Sequence, residues 1–228
     1  METAVTVDLS PILLSVKLAT ISTLTLALAG VPFAHWLSGS RSALRLALRA
    51  LVMLPLVLPP SVLGFYFLLA FNPAAFPGAF IGRVLGLHGA FTFEGIVIAS
   101  VIAGVPFMVN PVLAGFESLP QSLWEASEVL GKSRAETLLK VLLPSIKPSL
   151  MTGMVMTFIH TFGEFGLVLM LGGKIPGKTL TASIALYDCV ESLNYRQAHV
   201  YAAILVFCSL ASLVALFKFS PAAFGRSP

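Results

Sequence analysis

Charge is what this chain has least of. Asp, Glu, Lys and Arg make up 11% of its 228 residues, against roughly a quarter in soluble globular domains. With 57% hydrophobic residues and a mean hydropathy of +0.94, the composition excludes a soluble domain and points to an integral membrane protein. Cysteine is almost absent. Cys189 and Cys208 form no CxxC pair and no ligand cluster, which excludes a disulfide framework, and both are expected to be free thiols. Lys and Arg are missing ahead of the first apolar run, where only Glu2 and Asp8 carry charge, so that run is read as a retained span and not a cleaved signal peptide. No interleaving of aromatic and basic residues speaks for nucleic acid. No Ser-His-Asp arrangement, no HExxH and no paired carboxylates within one apolar run mark an enzyme.

Long apolar runs are what the chain does have. A hydrocarbon core of about 30 Å needs about 20 apolar residues per helix, and five runs meet that length, around 11–37, 49–71, 94–116, 148–171 and 198–218. Five spans place the termini on opposite sides. Arg41, Arg45, Arg49, Lys132, Arg134, Lys140, Lys147, Lys218 and Arg226 fall on one side, and Arg83, Lys174, Lys178 and Arg196 on the other. The richer side is expected to be cytoplasmic. That makes 1–10 an extracytoplasmic segment, 11–218 one membrane domain and 219–228 a cytoplasmic tail.

The most charged stretch runs from Glu117 to Pro144 and reads as two short helices. Ser118 with Gln121, and Ser133 with Glu136, have capping-box spacing. Gly131 fits a left-handed cap between them, and Pro144 is expected to limit the second helix. Leu119, Leu123, Ala126 and Leu130 share one face of the first. On periodicity alone the segment fits a solvated loop as well as a partner-binding pair.

Several intramembrane features mark a pathway. Pro55, Pro59 and Pro60 interrupt the second run, and Pro106 and Asn110-Pro111 the third, so both spans are expected to be broken. Broken helices at membrane depth line cavities or are buried in protein, although kinked packing helices fit as well. In the fourth run Thr157, His160, Thr161 and Glu164 share one stripe, and ionisable groups there face a bundle interior or wet cavity. His160 and Glu164 alone are too few ligands for a metal. Lys17 and Glu164 both lie about 10 Å from the outer ends of their helices, which predicts an ion pair between them; snorkelling of Lys17 to the headgroups is the alternative.

Gly172 to Thr179, GGKIPGKT, matches the phosphate-cradling P-loop pattern literally. The pattern needs a strand before it and a helix after it, whereas here an apolar span precedes it and Pro176 interrupts it. An ATP site is therefore not expected in this chain.

Glu125-Ala126-Ser127, Gly131 and Val141-Leu142-Leu143-Pro144 resemble the EAA motif of ABC importer permeases, with matching spacing and two mild departures, Ser127 for alanine and Val141 for isoleucine. LPLVLPPSVLG at 54–64, FGEFG at 162–166 and IPGKT at 175–179 are similar to the molybdate permease family, over about Leu13 to Leu216. Sulfate permeases, the nearest rival, generally carry tyrosine where Phe165 stands.

The resemblance implies an all-α polytopic bundle of about five transmembrane helices, the type I ABC importer permease fold, with 118–143 as cytoplasmic coupling helices. Glu125, Ala126, Ser127, Gly131, Val141 and Pro144 would engage the ATPase. Pro59, Pro60, Thr157, His160, Thr161, Gly163 and Glu164 are candidate pathway or gate residues. The implied partners are a second copy of the chain, two ABC ATPase subunits that bind ATP and Mg, an extracytoplasmic molybdate-binding protein and the lipid bilayer; Lys174 and Lys178 are candidates for docking that protein. This chain itself would hold no cofactor. An ion-driven secondary transporter would be expected to show inverted repeats, and none is evident among the five runs.

Overall fold

The computed structural model describes residues 7–39, 42–74, 76–85 and 89–219. The expectations placed on the first six residues, on Arg41 and on the tail from 220 onward lie outside these. The described residues fold into helices: α1 (Ser10–Ser38), α2 (Ala43–Val57), α3 (Pro60–Ala70), α4 (Gly78–Leu85), α5 (Phe93–Glu117), α6 (Ser122–Val129), α7 (Arg134–Thr137), a π turn (Leu138–Leu142), α8 (Leu143–Ser145), α9 (Lys147–Gly163), α10 (Gly166–Gly172), α11 (Ala182–Glu191) and α12 (Tyr195–Phe219).

Three helices, α1, α5 and α12, are each long and apolar enough to cross a membrane. Two more spans arise if bent pairs are counted as one each. α2 and α3 meet at 109°, and Arg134–Ser145 meets Lys147–Gly163 at 78°. The second of these pairs joins the Arg134–Ser145 part of the charged loop to α9 and is not the expected 148–171 run, which continues from α9 into α10.

Proline explains where one break falls. Leu58 and Pro59 each precede a proline and are both extended, with ψ of 136°, because the proline ring crowds the preceding residue out of the α region. Two such residues in succession separate α2 from α3. The expected break in the third run does not occur: α5 is continuous through Pro106 and Pro111. A single proline removes one backbone donor, and packing of α5 against α1 and α9 holds the helix in line across it.

The fourth run, expected to be one span, is broken without proline. Gly163 ends α9, Glu164 is extended (φ −62°, ψ 130°), and α10 begins at Gly166. α1, α5 and α9 pack against one another, and α10 lies on α3. Two apolar clusters result. One contains Leu26, Met108, Val112, Leu142 and Ile146; the other contains Leu18, Ile96, Leu167, Leu171 and Ile184.

Candidate functional site

The α6–α8 loop is built by capping. Leu130 N–H donates to Ala126, Gly131 N–H to the Glu128 carbonyl (2.9 Å) and Lys132 N–H to Ser127 (3.1 Å), with Gly131 at φ +66°. This is the Schellman arrangement, which needs a left-handed residue after the helix. Ser133 and Glu136 then form the expected capping box, and Lys140 bonds Glu136 at 3.0 Å. That bond and the Ser133 amide hold the exposed Glu136 carboxyl below its ordinary pKa.

The other expected cap is absent. Ser118 is the C-cap of α5 and donates its hydroxyl to the Gly115 carbonyl, and α6 begins at Ser122 without a side-chain cap. The long preceding helix runs to Glu117 and takes Ser118 with it. Pro144 does not end the second helix either. The π turn at Leu138–Leu142 precedes it, helical structure continues to Ser145, and the bend comes at Ile146. A widened turn accommodates a residue that cannot donate.

The buried residue of α6 is Ser127, whose hydroxyl bonds the Leu123 carbonyl at 2.8 Å, while Ala126 and Leu130 are exposed. The expected apolar face is therefore turned partly outward, with Val129, Leu130 and Leu139 all standing clear of the bundle. Glu125 is exposed, and Val141 is half-buried beside the fully buried Leu142.

Five side chains outside the motif tie this loop to the spans. Trp124 stacks on His35 of α1 (centroids 5.1 Å apart, planes 8°), and His35 also meets Phe116 at 5.0 Å. Arg49 of α2 pairs with Glu117 at 2.6 Å and donates to the Leu37 carbonyl at the end of α1. No local pattern linked these residues, because their spacing in sequence exceeds any helical repeat. Trp124→Ala is expected to raise backbone hydrogen exchange across 122–131 several-fold, since it removes roughly 2 kcal/mol of packing for a half-buried aromatic. Trp124→Phe should restore much of the protection.

A second constellation lies where the two breaks meet. A Cβ at Gly166 would sit 3.3 Å from Pro60 Cβ, and one at Gly64 only 2.7 Å from Met170 Cβ and 3.0 Å from the Leu167 carbonyl oxygen. Pro59 and Pro60 thus place the start of α3 against the start of α10. Glu164 holds this junction. Its Oε1 accepts from the Leu167 N–H (3.2 Å), its Oε2 lies 3.4 Å from His160 Nε2, and its carbonyl accepts from Ser183 Oγ (2.6 Å).

The expected Lys17–Glu164 ion pair is not formed. Lys17 is exposed and its ammonium lies 4.5 Å above the Phe93 ring, while Glu164 is buried with His160. Equal depth along two helices does not bring their faces together. The Thr157–Glu164 stripe is shared between environments: Thr157 and Thr161 are buried, whereas His160 is partly exposed and stacks on Phe107 at 4.0 Å. Among the described residues no third His, Cys, Asp or Glu joins His160 and Glu164.

The GGKIPGKT segment has no phosphate cradle. Helix α10 precedes it. Thr179 is fully buried; its hydroxyl donates to the Gly172 carbonyl (2.7 Å) and accepts from the Ile175 N–H (3.1 Å). Lys174 is engaged by Asp188 and by Glu191 (2.9 Å) of α11, which removes it as a free cation. Those carboxylates push the Lys174 ammonium upward in pKa, and the Lys174 bond, then that of Tyr187, holds Glu191 low.

A bent helical bundle with a capped helix pair between its third and fourth runs is the architecture of an ABC importer permease. The chain superposes on the inward-facing MetNI methionine ABC transporter with a TM-score of 0.71, at 18% identity, covering 94% of this chain and 95% of that one. It superposes on the bacterial alginate ABC transporter, in complex with a periplasmic protein bound to alginate pentasaccharide, with a TM-score of 0.73 at 16% identity, covering 96% and 80%. At those identities the likeness is one of fold.

The chain belongs to the family of binding-protein-dependent transport system inner membrane components, whose model matches residues 27–225. It is the membrane component of such a system; the ATPase is a separate subunit. It is 42% identical over 212 residues to the molybdenum transport system permease protein ModB of Azotobacter vinelandii, covering 92% of this chain and 93% of that one. The sulfate transport system permease protein CysT of Escherichia coli (strain K12) is 31% identical over 172 residues, 75% of this chain and 62% of its own.

Proposed function

We propose that this chain is the permease subunit of an ATP-driven importer of molybdate or tungstate, working as a homodimer with two ATPase subunits and an extracytoplasmic binding protein. The observation that carries the substrate is the 42% identity to ModB, extending over nearly the full length of both chains, against 31% over a shorter stretch for CysT. The α6–α8 loop faces the cytoplasm, where Val129, Leu130 and Leu139 offer the ATPase an apolar surface with Glu125 and Gly131 beside it. The N-terminus is extracytoplasmic and the C-terminus cytoplasmic. Residues 11–218 form the one membrane domain, flanked by short terminal segments.

The pathway face is the one carrying Phe107, Asn110 and His160. His160 packs on Phe107, and the Asn110 amide donates to Met53 Sδ at 2.8 Å, so α2, α5 and α9 converge there. Polar groups left open on spanning helices face a cavity or a partner and not lipid. Pro59, Pro60, Gly163 and Glu164 act one layer back as the gate, where the broken helices touch. Glu164, an acceptor, would repel an oxyanion, which fits a structural or gating role. Closure of the ATPases on ATP moves the loop, and through Trp124, His35, Arg49 and Glu117 moves α1, α2 and α5.

The test is uptake into proteoliposomes containing this chain, its ATPase and its binding protein. Molybdate uptake is expected to require ATP and both partners and to resist competition by excess sulfate. Equal competition by sulfate would assign the chain to the sulfate class, and uptake without ATPase would overturn the coupled mechanism.

A further inference from the structure

The α1–α5–α9 junction has a register that two contacts define. A Cβ at Gly30 would meet Met108 Cγ at 3.3 Å, and one at Gly153 the Met108 carbonyl oxygen at 3.0 Å. One turn away, a Cβ at Gly104 would meet Leu26 Cδ1 at 2.9 Å and Thr157 Cγ2 at 3.4 Å. Each helix has advanced four residues between the two levels, α1 and α5 backward and α9 forward, as antiparallel packing requires. A further step of four residues on each helix leads to Ser22, Ser100 and Thr161.

All three side chains are at most 3% exposed, and none of their hydroxyls has a hydrogen-bond partner in the protein. Thr23 Oγ1, next to Ser22, is likewise buried without a partner, whereas other helical hydroxyls behave differently. Thr157 bonds the Gly153 carbonyl four residues back at 2.7 Å, Thr152 that of Pro148 at 3.0 Å and Ser212 that of Cys208 at 2.8 Å. Three donors that decline this local bond, one on each helix of one junction, are not accounted for by helix chemistry. A buried hydroxyl without a partner is costly, and a water needs two to four polar partners to settle in a protein interior.

We propose that Ser22, Ser100 and Thr161 hold ordered water in this junction. The site lies between the two apolar clusters, with Leu26 and Met108 on one side and Leu18 and Ile96 on the other. The cluster on the Leu26 side packs against Trp124 and Leu138 of the loop; the other contains Leu167 and Leu171 of α10. Water here forms a seam across which the loop-bearing half and the half holding the helix breaks can exchange hydrogen bonds, whereas interdigitated methyl groups would resist movement.

Radiolytic footprinting of the full chain in membranes equilibrated with oxygen-18 water tests this. Hydroxyl radicals formed from bound water are expected to label the buried Leu18, Leu26 and Ile96 several-fold above the equally buried Val109 and Val112; labelling no greater than there overturns the proposal. In thermal unfolding, Thr161→Val removes the donor while keeping its shape. The midpoint is expected to fall by about 2–4 °C and to be recovered by Thr161→Ser. An unchanged or raised midpoint would mean a dry junction and would sink the proposal.

Discussion

Gly131→Pro is expected to abolish coupled uptake while leaving the chain inserted and assembled with its partners. The native residue sits at φ +66° and donates its N–H to the Glu128 carbonyl. Proline fixes φ near −65° and has no N–H, so neither feature survives; a misplaced proline costs about 3 kcal/mol or more. The loss falls on the turn that joins α6 to α7, and not on the bundle. ATP hydrolysis should continue without transport. Gly131→Ala is the control. A Cβ there meets nothing within 4 Å, so alanine carries only the left-handed backbone penalty, about 1–2 kcal/mol, and should retain most uptake. Parallel measurement of ATP hydrolysis and molybdate uptake decides it, and normal uptake by the proline variant would remove the loop from the coupling path.

Gly64→Leu is expected to unfold the junction of the broken helices. Its Cβ alone would lie 2.7 Å from Met170 Cβ and 3.0 Å from the Leu167 carbonyl oxygen. The second of these is backbone, so rotamer change cannot relieve it, and α3 must move off α10. Overpacking of this kind costs roughly 1–3 kcal/mol or more, which corresponds to a fall in unfolding midpoint of about 2–12 °C at this chain length. Gly163→Ala, where nothing lies within 4 Å, should leave the midpoint nearly unchanged. Equal behaviour of the two variants would show that α3 does not pack on α10 through Gly64.

The loop and the breaks differ in how much of them could be read from residues. Ser133 and Glu136 were legible because a capping box is local: both partners sit within one turn, and no distant contact competes for them. Ser118 and Gln121 have the same spacing and form no box, since the 25-residue helix before them continues to Glu117 and leaves Ser118 as its end. Proline shows the same division. Pro59-Pro60 breaks a helix by local crowding, whereas Pro106 and Pro111 are overruled by packing on both sides. The break at Glu164 had two nearby glycines as a signal and a local bond from the Leu167 amide three residues on, but Ser183, which donates to the Glu164 carbonyl, lies beyond any helical repeat. Lys17 and Glu164 erred for a related reason. Depth along a span follows from residue counting, but azimuth depends on how α1 and α9 pack.

By itself the sequence determined the membrane character, the five apolar runs, the capped loop with its left-handed glycine and the motif that joins the chain to its family. These rest on composition, length and contacts within a few residues, which act before the chain has folded. Only the tertiary structure decided which prolines break a span, that α3 meets α10 through Gly64 and Gly166, that Trp124 reaches His35, that Glu164 lies beside His160, and that Ser22, Ser100 and Thr161 are buried with unbonded hydroxyls. Those depend on the relative rotation of helices distant in the chain, a quantity settled by close packing of side chains and not by any repeat along the sequence.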